Sequence, residues 1–377
     1  MAKKFSVGKT VIACFLALVI GFIAAFFLWA YMHRKTESDS IYVSGDLQFH
    51  FMQLGNNYTG DSIYIKAGDT DILIDAGSRA DSTDTTSEYI DQFCTDGVLE
   101  YVIATHADQD HIAGFAGSDD YPSIFERYEC KTIIDFARTN KTTNVYKKYV
   151  ENRDAEVEAG AVHYTALECW EETNGAKRSY EISDGVTMNI LYTKFYEEHT
   201  SDENNYSVCL LFTQGERNFL FTGDLEEEGE GEESLVESNV LPKVELFKAG
   251  HHGSGTSSGD ALLSVIQPKI ICVCCCAGSV EYTQNLENTF PYQTTIDRFA
   301  KYTDQVYVTT YGTIELTKDD EGNDKYVNTG FAPLHGNIVV TSKSSGVSVK
   351  CSANDGVLLK DTEWFKNNRE TPTEWLS

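Results

Sequence analysis

Four side chains within six residues, His106, Asp108, Asp110 and His111, carry the chemistry that this sequence makes most visible. They follow the apolar run Val102-Ile103-Ala104 and Thr105, and they precede Ile112-Ala113-Gly114. The pattern predicts a strand that delivers the cluster to its C-terminal end, with a helix starting behind it. Imidazole nitrogens and carboxylate oxygens gathered around one point form a metal site. Without a cation or protons the same groups are costly to bury side by side. The H-x-D-x-D-H order offers donors for two adjacent cations, His106 and Asp108 toward one, Asp110 and His111 toward the other. Asp110 is also the first candidate for a catalytic carboxylate.

Three further clusters follow in order: Asn204-Asn205-Tyr206-Ser207-Val208, Phe219-Leu220-Phe221-Thr222-Gly223-Asp224, and Phe247-Lys248-Ala249-Gly250-His251-His252-Gly253-Ser254. Asp224 closes an apolar strand, and the His251-His252 pair follows another. Adjacent strand residues point to opposite faces, so one imidazole of the pair faces the metals. His251 is taken as that ligand, with His252 behind it as proton donor. Gly253, Ser254 and Gly255 would let a phosphate or oxyanion approach backbone N–H groups.

These motifs together resemble the metallo-β-lactamase superfamily signature H-x-H-x-D-H, with Asp108 where most members carry the second histidine. That variant is similar to the branch containing the extracytoplasmic metal domain of ComEC-type DNA-uptake (competence) proteins. The resemblance covers residues 45–345. It implies an α/β fold, a four-layer αββα sandwich with the metal site at one edge between the sheets. It also implies two ions bridged by Asp224, and an Asn-Asn-x-Ser stretch in which Asn205 and Ser207 align a phosphate or a water. Asp75, in the family's first motif, is expected to orient a ligand. Two departures stand out. The third motif supplies amides instead of a histidine, and Phe290-Pro291-Tyr292-Gln293 stands where the branch often carries His-Pro-His. Oxygen-rich donors with some imidazole suit Zn2+ or Mn2+, and Asp108 shifts the preference toward the harder ion.

Around this core the chain of 377 residues has a globular composition and a net charge of −28. Such a surface repels long nucleic acids and anionic lipid, so a small molecule or short phosphodiester is the better-matched substrate. Residues 11–32 are apolar and uncharged, preceded by Lys3, Lys4 and Lys9. They read as a single transmembrane anchor, with residues 1–10 cytoplasmic, a linker over 33–44 and the remainder extracytoplasmic. Residues 346–377 read as a C-terminal extension. Ten cysteines specify no pairing; Cys272, Cys274, Cys275 and Cys276 fall in a run that reads as a buried strand. The region 126–193 reads as a connecting helix, at 144–158, and a loop insertion. The sequence thus points to a membrane-anchored metal-dependent hydrolase, with phosphodiester cleavage implied by the resemblance. A non-catalytic metal-binding ectodomain and a lactam, lactone or thioester hydrolase are the alternatives.

Overall fold

The computed structural model describes residues 47–376, so the apolar segment 11–32 and the linker 33–44 lie outside the described residues. Among the described residues no helix is long and apolar enough to cross a membrane. Six strands come first: β1 (Leu47–Phe51), β2 (Ile63–Ala67), β3 (Thr70–Ile74), β4 (Val98–Ala104), β5 (Glu129–Asp135) and β6 (Val162–Thr165). Then follow β7 (Ser179–Ser183), β8 (Val186–Leu191), β9 (Cys209–Gln214), β10 (Arg217–Phe221), β11 (Leu246–Lys248) and β12 (Ile270–Ala277). Four more close the chain: β13 (Val306–Lys318), β14 (Asp324–Pro333), β15 (Ile338–Lys343) and β16 (Gly346–Cys351).

They form two eight-stranded mixed sheets, ordered β16-β15-β1-β2-β3-β4-β5-β6 and β14-β13-β12-β11-β10-β9-β8-β7. The pairings β3–β4, β4–β5 and β5–β6 are parallel in the first, as are β10–β11, β11–β12 and β12–β13 in the second.

Strand alternation explains the layering. In β1, Phe49 meets Phe212, Phe219 and Phe221 of the opposite sheet at ring-centroid distances of 5.6, 4.7 and 5.4 Å. His50, one residue on, faces the other way, toward Tyr64, Tyr89 and Phe93 beside the helix Ser82–Ile90. In β10, Leu220 points away from Phe49 and joins a core with Leu262, Leu263 and Ile266 of one helix and Ile296 and Phe299 of another. Each such buried side chain contributes about 1.5–3 kcal/mol. Helices therefore cover the outer faces while phenylalanines fill the space between the sheets.

The region 126–193 is not an insertion. It contributes β5 and β6 to one sheet and β7 and β8 to the other, around the helix Asn144–Ala159. Its outermost strands, β6 and β7, are only four and five residues long and half-exposed. At the other end, β16 extends the first sheet, and Trp364, Phe365 and Trp375 are buried in the second sheet's outer core. The cysteines at 272 and 274–276 lie in β12, which is buried throughout, and the nine described cysteines are all free.

Candidate metal centre

The parallel pairs β3–β4 and β10–β11 end at one edge of the two sheets, and the loops leaving them carry the site. His111 sits in the first turns of the helix Gln109–Ala116 and is fully buried. Its Nδ1 lies 2.7 Å from Asp75 Oδ2, and its Nε2 lies 3.0 Å from Asp224 Oδ2. Asp75 follows β3 with a positive φ of 57°. Its carboxylate accepts from the Thr105 backbone N–H at 2.8 Å and from the Thr105 hydroxyl at 2.7 Å. Held in this way, Asp75 fixes a proton on Nδ1 and turns Nε2 into a donor to a metal. The variant Asp75→Asn is accordingly expected to bind divalent metal about 10–100-fold more weakly. A chelator-competition titration measures this, and an unchanged affinity would remove the orienting role.

The His251-His252 pair is turned the other way round from the sequence expectation. His252 is buried, with Nδ1 2.8 Å from the Cys274 carbonyl and 3.2 Å from Asp61 Oδ1. A register shift in β12 between Val273 and Cys276 brings that carbonyl within reach. His252 Nε2 faces Asp224 Oδ2 at 3.0 Å and Asp110 Oδ2 at 3.3 Å. His251 instead directs Nδ1 to Glu226 Oε1 at 2.6 Å, on the rim. Period-two alternation does not extend to this pair because β11 ends at Lys248, and His251 and His252 have φ of 40° and 54° in a tight turn. Gly253 and Gly255 offer no open anion cradle. A Cβ at either would lie 2.7 Å from Pro291 Cβ or 2.8 Å from Tyr292 Cδ2.

Four donor atoms therefore lie in one chain of close contacts: His111 Nε2 and His252 Nε2 are each 3.0 Å from Asp224 Oδ2, and Asp110 Oδ2 is 3.3 Å from His252 Nε2. The His252 Nε2 and His106 Nε2 atoms are buried and have no partner in hydrogen-bond geometry, although carboxylate oxygens lie close. Orphaned imidazole nitrogens among carboxylates fit a divalent cation. Asp61 also belongs to the buried cluster of Asp61, His111, Asp224 and His252. Its oxygens, however, meet the Nδ1 side of both imidazoles, at 3.2 Å from His252 and 4.0 Å from His111. Asp61 thus stands behind the ligands, ion-paired to the buried Lys248, whose ammonium also reaches Asp224 Oδ1 at 3.2 Å and the Gly223 carbonyl at 3.1 Å.

The electrostatics follow from these contacts. Burial disfavours the charged form of every group here, but at His111, His252, Asp224 and Asp110 the opposed charges outweigh it. Asp224 and Asp75 hold the His111 pKa well above the usual imidazole value, and Asp224 and Asp61 do the same for His252. Asp224 is held well below the carboxylate range by His111, His252 and Lys248, and Asp110 is lowered by His252 and His111. Burial wins at three groups: it raises Asp75 and Asp108 above the usual carboxylate value, and at His106 burial, then the neighbouring His111, pushes the pKa well down, so that imidazole stays neutral.

His106 and Asp108 form the outer side of the site, with His106 Nε2 3.6 Å from Asp108 Oδ2 and Lys141 ion-paired to Asp108. Ser207 accepts from the Asp224 backbone N–H through Oγ at 3.0 Å, and the same Oγ is 3.5 Å from His106 Nδ1. Asn205 turns away from the donors. Its amide accepts from the Glu226 N–H and donates to the Glu228 carbonyl, both at 3.2 Å, which ties down the turn after Asp224. Its neighbour Asn204 faces the cleft instead, a cavity of ≈ 310 Å³ also lined by Arg79, Asp108, Asp110, His251 and Tyr282. The Tyr282 hydroxyl donates to Asp110 Oδ2 at 3.1 Å. Phe290, in the segment without histidines, packs 5.7 and 5.8 Å from the His251 and His252 rings. The remaining histidines among the described residues have other partners: His50 is bound to Tyr89, His163 to Asp135, His199 to Tyr206 and His335 to the Val308 backbone.

The sequence is similar to known proteins over part of its length. Residues 55–122 match the model of the metallo-beta-lactamase superfamily. Over that stretch the chain is similar to that superfamily. ComE operon protein 3 of Bacillus subtilis (strain 168) is 29% identical over 178 residues, 45% of this chain and 19% of that protein. Recombination protein 2 of Haemophilus influenzae is 27% identical over 173 residues, 46% of this chain and 17% of that protein. The aligned stretch thus spans less than a fifth of either relative. Among solved structures, the metallo-beta-lactamase fold protein YhfI from Bacillus subtilis aligns with 70% of this chain and 96% of its own, at 10% identity and a TM-score of 0.37. The superfamily match covers His106, Asp108, Asp110 and His111 together with the supporting Asp61 and Asp75.

Proposed function

We propose that this protein is a membrane-anchored, extracytoplasmic metal-dependent hydrolase whose substrate is a phosphodiester. The observation that carries the reading is the chain of close contacts linking His111 Nε2, His252 Nε2, Asp110 Oδ2 and Asp224 Oδ2 at the floor of an open cleft, with His252 Nε2 orphaned. A divalent cation such as Zn2+ or Mn2+ held by these residues supplies Lewis acidity, acidifying water and polarising a phosphoryl oxygen. The chain's own groups do the rest. Asp75 and Asp61 hold the imidazoles in their tautomers, and Lys248 keeps the Asp224 and Asp61 carboxylates ionised. His251, fixed through Nδ1 by Glu226, lines the cleft where a leaving oxygen would take a proton. Arg79 places a guanidinium on the cleft wall, held there by Glu281 at 2.8 Å and by the Tyr58 ring, so a phosphate would have to share it with that carboxylate.

The name of Recombination protein 2 points toward nucleic acid, whereas the net charge of −28 favours a small phosphodiester or a strand end over a long duplex. Anchoring rests on the uncharged apolar run 11–32.

The test is hydrolysis of bis(p-nitrophenyl) phosphate by the purified full-length chain. Turnover is expected with Mn2+ or Zn2+, and background rates after EDTA treatment or in Asp110→Ala. The outer position lacks the third-motif nitrogen, which favours one competing reading, a non-catalytic metal-binding domain. Bound metal without turnover of phosphodiester, lactam, lactone or thioester substrates would establish that reading.

A further inference from the structure

The two halves of the H-x-D-x-D-H run are not equally furnished. The inner position has four donors in one chain of close contacts, from Asp110, His111, Asp224 and His252. The outer position has His106 Nε2 and Asp108 Oδ2, 3.6 Å apart. The Asn-Asn-x-Ser stretch adds no nitrogen ligand there: the Asn205 amide is bound to the Glu226 N–H and the Glu228 carbonyl, and Ser207 Oγ accepts from the Asp224 N–H. The other oxygen of Asp108 is in an ion pair with Lys141, both side chains being a little over a quarter exposed.

Lys141 is delivered there by a loop that is held at several points. The Lys141 N–H donates to Thr139 Oγ1 at 2.9 Å, and Thr139 Oγ1 donates to Glu203 Oε1 at 2.6 Å. The Asn140 N–H donates to Glu203 Oε2 at 2.7 Å, and the Asn140 amide donates to the Thr200 carbonyl at 2.8 Å. Glu203 is itself buried. A lysine on such a loop is presented to Asp108 rather than free to sweep the solvent.

From this juxtaposition we propose that the Lys141 ammonium serves as the outer cation, so that the centre takes up a single divalent ion. The replacement of a neutral imidazole by Asp108 adds a negative charge at the outer position, and the ion pair with Lys141 cancels it. A second dication there would meet two protein donors, one of them already engaged, and a fixed positive charge alongside. The inference rests on the proposed metal site and goes further by fixing how many ions it holds and which residue sets that number.

The experiment is to dialyse the full-length wild type, Lys141→Met and Lys141→Arg against Mn2+ and count ions per chain by elemental mass spectrometry. Equilibrium dialysis then gives the affinity of each step. Expected are one ion in the wild type, one in Lys141→Arg, and a second ion in Lys141→Met bound at least ~10-fold more tightly than any second ion in the wild type. The loop is held by backbone and Glu203 contacts that neither substitution touches, so both variants should fold. Two tight ions in the wild type would overturn the inference while upholding the metal site. One ion in both wild type and Lys141→Met would also overturn it. No bound ion in any variant would remove the metal-site reading itself.

Discussion

Replacing Lys248 by methionine is expected to destabilise the metal-free protein by about 3–5 kcal/mol, the usual cost of leaving a buried charge without its partner. Lys248 is 1% exposed, and its ammonium is shared between the carboxylates of Asp61 and Asp224 and the carbonyl of Gly223. Methionine fills most of the same volume, so the loss measures charge rather than packing. Asp61 is left with His252 as its near cation, and its Oδ1 has no partner in hydrogen-bond geometry even in the wild type. Urea unfolding of Lys248→Met beside Asp61→Asn/Lys248→Met checks the argument. The double variant, with both charges removed, should recover part of the loss, since replacing a buried pair by neutral groups is often close to neutral. A single-variant cost below about 1 kcal/mol, the range of exposed pairs, would mean that water reaches the ion pair.

Lys248 also shows where sequence reasoning stopped. The apolar strand before the His251-His252 pair was legible, but nothing in the sequence gave the lysine at its end a role. In the structure it is as buried as Phe247 beside it. A charge inside an apolar run next to a metal motif was the signal, but its partner Asp61 lies far away in sequence, before β2, among turn residues. The local cluster from His106 to His111 and the terminal Asp224 were readable because each sits at the end of a strand whose apolar pattern is intact. What could not be read depends on pairings between distant loops. Tyr282 reaches Asp110, Lys141 reaches Asp108, and Glu226 takes His251. The strand-parity argument that favoured His251 assumed extended backbone at a place where φ is positive. The four strands β5 to β8 were missed for a different reason: β6 and β7, at the edges of the two sheets, are only four and five residues long, and β5 and β8 inside them are interrupted by polar and charged residues.

Metal binding is expected to tighten steeply with pH, about 100-fold per unit, because loading the site must remove about two protons, one from each of His111 and His252. In the metal-free protein both imidazoles are held protonated: burial opposes the charge, but Asp224 with Asp75 on one ring, and Asp224 with Asp61 on the other, outweigh it. A pKa raised on folding contributes stability that is fully present below the unfolded imidazole value of about 6.5 and is lost as pH rises through the folded value, which lies well above it. Asp110 and Asp224 have pKa values lowered on folding. Their contribution is present above about pH 4 and is lost as pH falls through their folded values. The buried neutral imidazoles of His50 and His106, whose pKa values burial lowers, cost stability as pH falls below about 6.5, so the metal-free protein should have its highest Tm at about pH 6–7 and lose stability on both sides. Added metal should do the reverse, giving a Tm increment that grows from pH 6 to pH 8 because a ligand stabilises in proportion to its own occupancy. Calorimetric titration in buffers of different ionisation enthalpy would count the released protons directly. Release of none would mean that the rings are already neutral, and the carboxylates around them would then need a cation, not protons, to hold the metal-free site together.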